Sequence, residues 1–255
     1  MMKKAIFAGI VLFFVIASAA NAQLIGDYCN VDSVSIDSSI EGEVTHIDMT
    51  YHFSCGGASG LQGQLTKMIV TIPYSGIYNV EAADNFGSMT MLEGPQYISA
   101  VEDNGETVIG VIFRKGLLVT TEQQTYDLMV EFDSSMAKYT DSIGELSPGG
   151  LAVSPKVTIV TTGLTETTIP AMLYDFSLTL PERSSVESMT PAVCQFEGNE
   201  VSCLNLDSGA MQELKVRWTE APGSLEESVR HYADRLKGLF GGLFGRAKET
   251  ISELE

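Results

Sequence analysis

The chain has 255 residues and carries 33 Asp and Glu against 15 Lys and Arg, a net charge of −18. That balance excludes nucleic acid as a partner, because phosphate recognition needs clustered Lys and Arg. The length allows one or two domains with real hydrophobic cores.

The N-terminus reads as an export signal. Lys3 and Lys4 precede a nearly unbroken apolar run from Ala5 to Ala19, and Ala20-Asn21-Ala22 supplies a small-x-small cleavage site before Gln23. This is the order of a secretory signal peptide over residues 1–22. The competing reading is a retained anchor, since the apolar run approaches the ~20 residues that span a bilayer. Either way the destination is secreted or cell-surface. Losing Lys3 and Lys4 takes the net charge from −18 to −20.

Strand patterns dominate from there to residue 220. Ile47, Met49, Tyr51 and Phe53 alternate with Asp48, Thr50 and His52, a period-two pattern that predicts a half-buried strand. Tyr126–Phe132, Tyr174–Leu180 and Leu214–Trp218 repeat that alternation, which turns Trp218 inward. Asn104-Gly105, between two apolar runs, predicts a hairpin. One-sided strands at this spacing predict antiparallel sheets packed as sandwiches.

The four cysteines suit an oxidising compartment and allow three pairings. Gln195 to Ser202 reads as a hairpin turning at Gly198-Asn199, with Gly first as a type II′ turn prefers. That register sets Cys194 opposite Cys203 at a non-hydrogen-bonded pair, where Cα atoms lie ~4.5 Å apart. Cys29 is then left to pair with Cys55. Zinc is disfavoured, because there is no Cys-x-x-Cys and only three His are present.

Two pairs of segments echo one another: Ile69–Pro73 with Ser177–Pro181, and Leu128-x-Val130-x-Phe132 with Leu214-x-Val216-x-Trp218. They predict tandem sandwich domains over 23–135 and 152–221, joined by a Ser-, Asp- and Gly-rich linker over 136–151. One larger sandwich with crossing strands is the alternative. The run Leu180-Pro181, Cys194-x-Phe196-x-Gly198-Asn199-x-Val201-x-Cys203, Ser208-Gly209 and Leu214-x-Val216-x-Trp218 resembles the immunoglobulin-like repeats of bacterial and archaeal surface proteins. The resemblance, clearest over 174–218, implies an envelope or adhesion-type building block.

The tail differs in kind. Ser224 and Glu227 have capping-box spacing, and apolar residues then recur every three or four positions. This predicts an amphipathic helix within 222–255, whose stripe includes Leu236, Leu239, Phe240 and Leu243. Gly238-Leu239-Phe240-Gly241-Gly242-Leu243-Phe244-Gly245 resembles membrane-active and fusion-peptide segments. Leu236, Leu239, Phe240, Leu243 and Phe244 are the candidate contacts to a partner protein, to a second copy or to a membrane surface through residues 224–255.

Enzyme chemistry is not legible. Gly-x-Ser-x-Gly, a phosphate loop and His-Glu-x-x-His are all absent from the sequence. His46, Asp48 and His52 share one strand face, but His52 lies six residues from His46, about 20 Å along a strand. Asp84-Asn85-Phe86-Gly87 and Asp103-Asn104-Gly105-Glu106 resemble fragments of calcium loops without the alternating ligands. The sequence therefore predicts a non-enzymatic secreted or surface interaction module with no cofactor and no metal. The alternatives are a membrane-associated module and, further off, a carbohydrate-binding or carbohydrate-active sandwich.

Overall fold

A computed structural model describes residues 28–57, 63–85, 87–89, 97–140, 142–160 and 164–221. The fold is mainly β, with three sheets. The largest has eight strands in the order β15 (Gln195–Glu197), β16 (Glu200–Leu206), β13 (Ala171–Thr179), β1 (Cys29–Glu41), β2 (Val44–Cys55), β8 (Gln124–Ser134), β4 (Tyr78–Asp84) and β5 (Gly87–Met89). A five-stranded sheet runs β12 (Leu164–Thr168), β11 (Lys156–Val160), β3 (Gly63–Ile72), β7 (Glu106–Val119) and β6 (Ile98–Asp103). A four-stranded sheet runs β14 (Ser184–Thr190), β17 (Lys215–Glu220), β10 (Ile143–Leu146) and β9 (Lys138–Thr140). A short helix, α1 (Ser208–Gln212), precedes β17 and is capped by Asp207, whose side chain accepts from Ala210 N–H.

The alternating patterns translate directly into burial. Ile47, Met49, Tyr51 and Phe53 of β2 are buried, while His46, Asp48, Thr50 and His52 face outward and remain partly exposed. The inner faces of the eight- and five-stranded sheets meet through Phe53, Phe113 and Tyr126, with ring centroids 5.7 Å and 4.8 Å apart. Trp218 is fully buried in the four-stranded sheet, edge-on to Tyr139 at 5.8 Å.

Both hairpin expectations hold. Asn104 and Gly105 both have positive φ, the type I′ geometry, between β6 and β7. Gly198 has φ +66° at the turn between β15 and β16, where Glu197 faces Glu200. Both disulfides form as expected. Cys29 lies directly opposite Cys55 in the β1–β2 register, with Cα atoms 4.1 Å apart. Cys194 and Cys203 flank the Gly198 turn with Cα atoms 4.3 Å apart.

The expected division into domains 23–135 and 152–221 does not separate the sheets. β1 pairs with β13 in parallel from Val31↔Ala171 to Ser39↔Thr179, and β11 pairs antiparallel with β3. Buried residues from both halves form one cluster. The echoing segments also take non-equivalent places. Ile69–Ile72 lies in the five-stranded sheet but Ser177–Thr179 in the eight-stranded one, while Leu128–Phe132 lies in the eight-stranded sheet and Val216–Trp218 in the four-stranded one. Alternation reports that one face is buried, not which sheet the strand joins.

Nor is 136–151 a linker, since it contains β9, β10 and a 3₁₀ turn over Pro148–Leu151. Its glycines serve close packing. A Cβ on Gly144 would stand 2.2 Å from the Trp218 ring, one on Gly149 2.2 Å from the Gln212 carbonyl, and one on Gly150 2.6 Å from the Tyr74 ring. The signal peptide over 1–22 and the tail helix over 222–255 lie outside the described residues.

Candidate functional site

The outer face of the eight-stranded sheet gathers the chemically active side chains. Its strands alternate buried apolar residues with Ser, Thr, Asp, Glu and His, and the register aligns the polar ones in rows. One row runs Ser177, Asp37, Asp48, Glu131 and Glu81 across five adjacent strands. Four consecutive members are carboxylates, held roughly 5 Å apart by the strand spacing. A second row holds Ser39, His46, Asp133 and Tyr78, and a third Ser33, His52 and Asp127.

None of these eight strands contains Lys or Arg; the basic residues of the other strands fall in the five- and four-stranded sheets. There they meet carboxylates: Lys156 with Glu166 at 2.7 Å, Lys215 with Glu145 at 2.9 Å and Arg217 with Glu187 at 2.9 Å. On the eight-stranded sheet several acids instead meet neutral donors and histidines. Ser177 Oγ donates to Asp37 at 2.6 Å, Asn79 Nδ2 to Asp133 at 2.6 Å and Ser54 Oγ to Asp32 at 2.9 Å. His46 Nδ1 bonds Asp133, and His52 Nδ1 bonds Asp127 at 2.8 Å.

Burial raises the carboxyl pKa of Asp48, and Asp37 opposite it adds to the rise while His46 opposes it. Glu131 is raised in the same way, first by burial, then by Asp48, Glu81 and Asp133. The row is therefore a set of like charges held together against their repulsion.

One constellation resembles nucleophilic chemistry. Asp127 Oδ1 meets His52 Nδ1, and His52 Nε2 lies 3.3 Å from Ser35 Oγ. That is the connectivity of an acid–base–nucleophile triad, which is recognised by geometry rather than sequence order. Its setting does not suit acyl transfer. Ser35 sits in a sheet interior whose strand amides are spent in the ladders, so they offer no N–H pair to a developing oxyanion. Asp175 lies directly beside Ser35 in the neighbouring strand and would repel that charge. The arrangement works as a hydrogen-bonded polar network that fixes the His52 ring.

The structure thus confirms that His46, Asp48 and His52 share a face, and adds partners the sequence could not supply, from β8 and β1. Of the two acidic tetrapeptides, Asn104-Gly105 closes the β6–β7 turn, and Asp84 pairs with Gly87 across β4–β5. Among the described residues, no group of three or more His, Cys, Asp or Glu is placed to hold a metal ion. Leu236, Leu239, Phe240, Leu243 and Phe244 lie outside the described residues.

No protein-family model matches the sequence, and no curated protein matches it. Among solved structures, an M1 zinc metallopeptidase from Deinococcus radiodurans is similar at a TM-score of 0.42 and 10% identity, covering 75% of this chain and 42% of that one. Yeast LTA4 hydrolase in complex with bestatin is similar at 0.40 and 10%, covering 76% of this chain and 29% of that one. The chain spans less than half the length of either, and at these scores the likeness carries no argument.

Proposed function

We propose that the chain is an exported, non-enzymatic structural and interaction module acting outside the cytoplasm, secreted or at the cell surface. The observation that carries this reading is the pair of cross-strand disulfides, each joining cysteines that face one another and are buried. Such bridges persist in oxidising compartments and are rare in the cytosol. The leader pattern of residues 1–22 points to the same compartment. The broad polar face of the eight-stranded sheet supports an interaction role, because it presents hydrogen-bonding side chains in aligned rows across adjacent strands. The local hairpin that resembles immunoglobulin-like surface repeats supports the class, although the strands do not divide into tandem repeats.

The test is expression with the chain's own leader in a secretion-competent host. The exported product is expected to begin at Gln23, and non-reducing peptide maps should link Cys29 to Cys55 and Cys194 to Cys203. Retention in the cytosol with four free thiols would sink the reading.

A further inference from the structure

Where β1 begins and β2 ends, the sheet opens into a cleft of about 360 Å³. Tyr28, Asn30, Ser54, Gly56, Thr121 and Gln123 line it, with Gly57 and Cys55 beside them. Its walls are fixed. The Cys29–Cys55 disulfide and a hydrogen bond from Gly56 N–H to the Tyr28 carbonyl, 2.9 Å, hold the two strand ends together. Gly56 lies so close to the loop before β8 that a Cβ there would stand 2.5 Å from Gln123 Cα. That loop is braced in turn by Thr120 Oγ1, which accepts from Glu122 N–H at 3.3 Å. A concave, preformed wall of this kind is what a small ligand needs.

The chemistry of the lining is selective. Among the described residues the lining itself holds no Asp, Glu, Lys, Arg or His, and one carboxylate, Asp32, reaches it by accepting from Ser54 Oγ at 2.9 Å. The lining offers two amide side chains, the hydroxyls of Thr121 and Tyr28, the Ser54 hydroxyl whose proton goes to Asp32, and one aromatic ring. Amides and hydroxyls can both donate and accept, which matches ligand groups that do the same. The groups that the described lining presents are uncharged, and the Asp32 carboxylate behind them is engaged by Ser54. A peptide strand would need a free sheet edge; at this end β1 gains its β13 neighbour from Val31 onward, which leaves only Cys29 and Asn30 with an open side, too short a stretch to add a strand to. An uncharged polyhydroxylated ring satisfies the set, with its apolar face against Tyr28 and its hydroxyls toward Asn30, Ser54, Thr121 and Gln123.

We propose that this cleft is a binding subsite for a neutral sugar ring. The proposal gives the interaction module a ligand class and rests on the exported reading only for the compartment in which that ligand is met. The test uses the exported, disulfide-intact chain, ¹⁵N-labelled and titrated separately with cellohexaose, laminarihexaose, chitohexaose and mannohexaose. At least one is expected to shift the Gly56 and Gly57 amides. Tyr28→Ala and Gln123→Ala should each weaken that binding about tenfold, the scale of one lost contact. Gln123 is exposed, so its variant keeps the fold even if Tyr28→Ala perturbs it. No shift with any of the four sugars, shifts that map elsewhere, or binding unchanged in Gln123→Ala would each overturn the proposal. Export and disulfide pairing are read independently, so that failure is distinguishable from failure of the exported-module reading.

Discussion

Asp48→Asn is expected to stabilise the protein at neutral pH, although it removes a charge from a polar face. Asp48 stands between Asp37 and Glu131 in the carboxylate row. Two unit charges about 5 Å apart repel by about 0.8 kcal/mol at the dielectric constant of water, so two neighbours cost about 1.5 kcal/mol at low salt. At physiological ionic strength the ~8 Å screening length cuts this roughly in half. The pH dependence follows from the raised carboxyls of Asp48 and Glu131. The folded state holds their protons at pH values where the unfolded chain has released them. Stability therefore falls as pH rises from the ordinary carboxyl range through the raised values, and acidification from neutral recovers it. The advantage of Asp48→Asn should be full above the raised pKa and vanish below the ordinary Asp value of 3.8. Urea unfolding at pH 7.5 and pH 4.5, each in 20 and 500 mM NaCl, measures all of this. A variant less stable than wild type at pH 7.5, or a gain indifferent to both salt and acid, would refute the repulsive-row argument.

Gly144→Ala should destabilise by about 1–3 kcal/mol, the usual cost of overpacking, because its Cβ would enter the Trp218 ring. Thermal unfolding with a blue- or red-shifted Trp218 emission reports it, and an unchanged melting point would contradict the fit. Replacing Cys29 and Cys55 together should cost about 3.5 kcal/mol, and replacing Cys194 and Cys203 about 2.6, from loops of 26 and 9 residues. Denaturant melts of the two variants should keep that order. A fluorophosphonate probe is expected to leave Ser35 unlabelled; labelling that disappears in His52→Ala would overturn the non-enzymatic reading. The 223–255 peptide should gain helicity with anionic liposomes if its stripe meets lipid, and with peptide concentration alone if it meets itself.

Local signals transferred faithfully from sequence to structure, and non-local ones did not. The Gly198 and Asn104-Gly105 turns fix their own registers, so the Cys194–Cys203 bridge could be read from ten residues. Sheet membership depends on partners far along the chain. β1 lies beside β13, and His46 finds Asp133 at a sequence separation of 87, a pairing that alternation alone cannot select. The cleft was illegible for the same reason, because Tyr28 and Gln123 come to line one cleft only after β1 has paired with β2 and β2 with β8.

Glycine gave the most misleading signal, and the cause is physical. A glycine cluster is favoured both where a chain must bend freely and where two segments must touch. Residues 144–150 satisfy the second condition: Gly144 admits the Trp218 ring, Gly149 a backbone carbonyl and Gly150 the Tyr74 ring. Leu146 lies between Gly144 and Gly149, Leu151 directly follows Gly150, and both are buried, which a solvated linker would not permit. Composition alone counts the glycines and not the leucines between them. The same two requirements separate at Gly56 and Gly57. Gly57 has φ +83° with open space around its missing side chain, so it is a conformational glycine, whereas Gly56 is a contact glycine against Gln123. One turns the chain at the end of β2 and the other lets the loop before β8 close on it, and together they make the cleft wall.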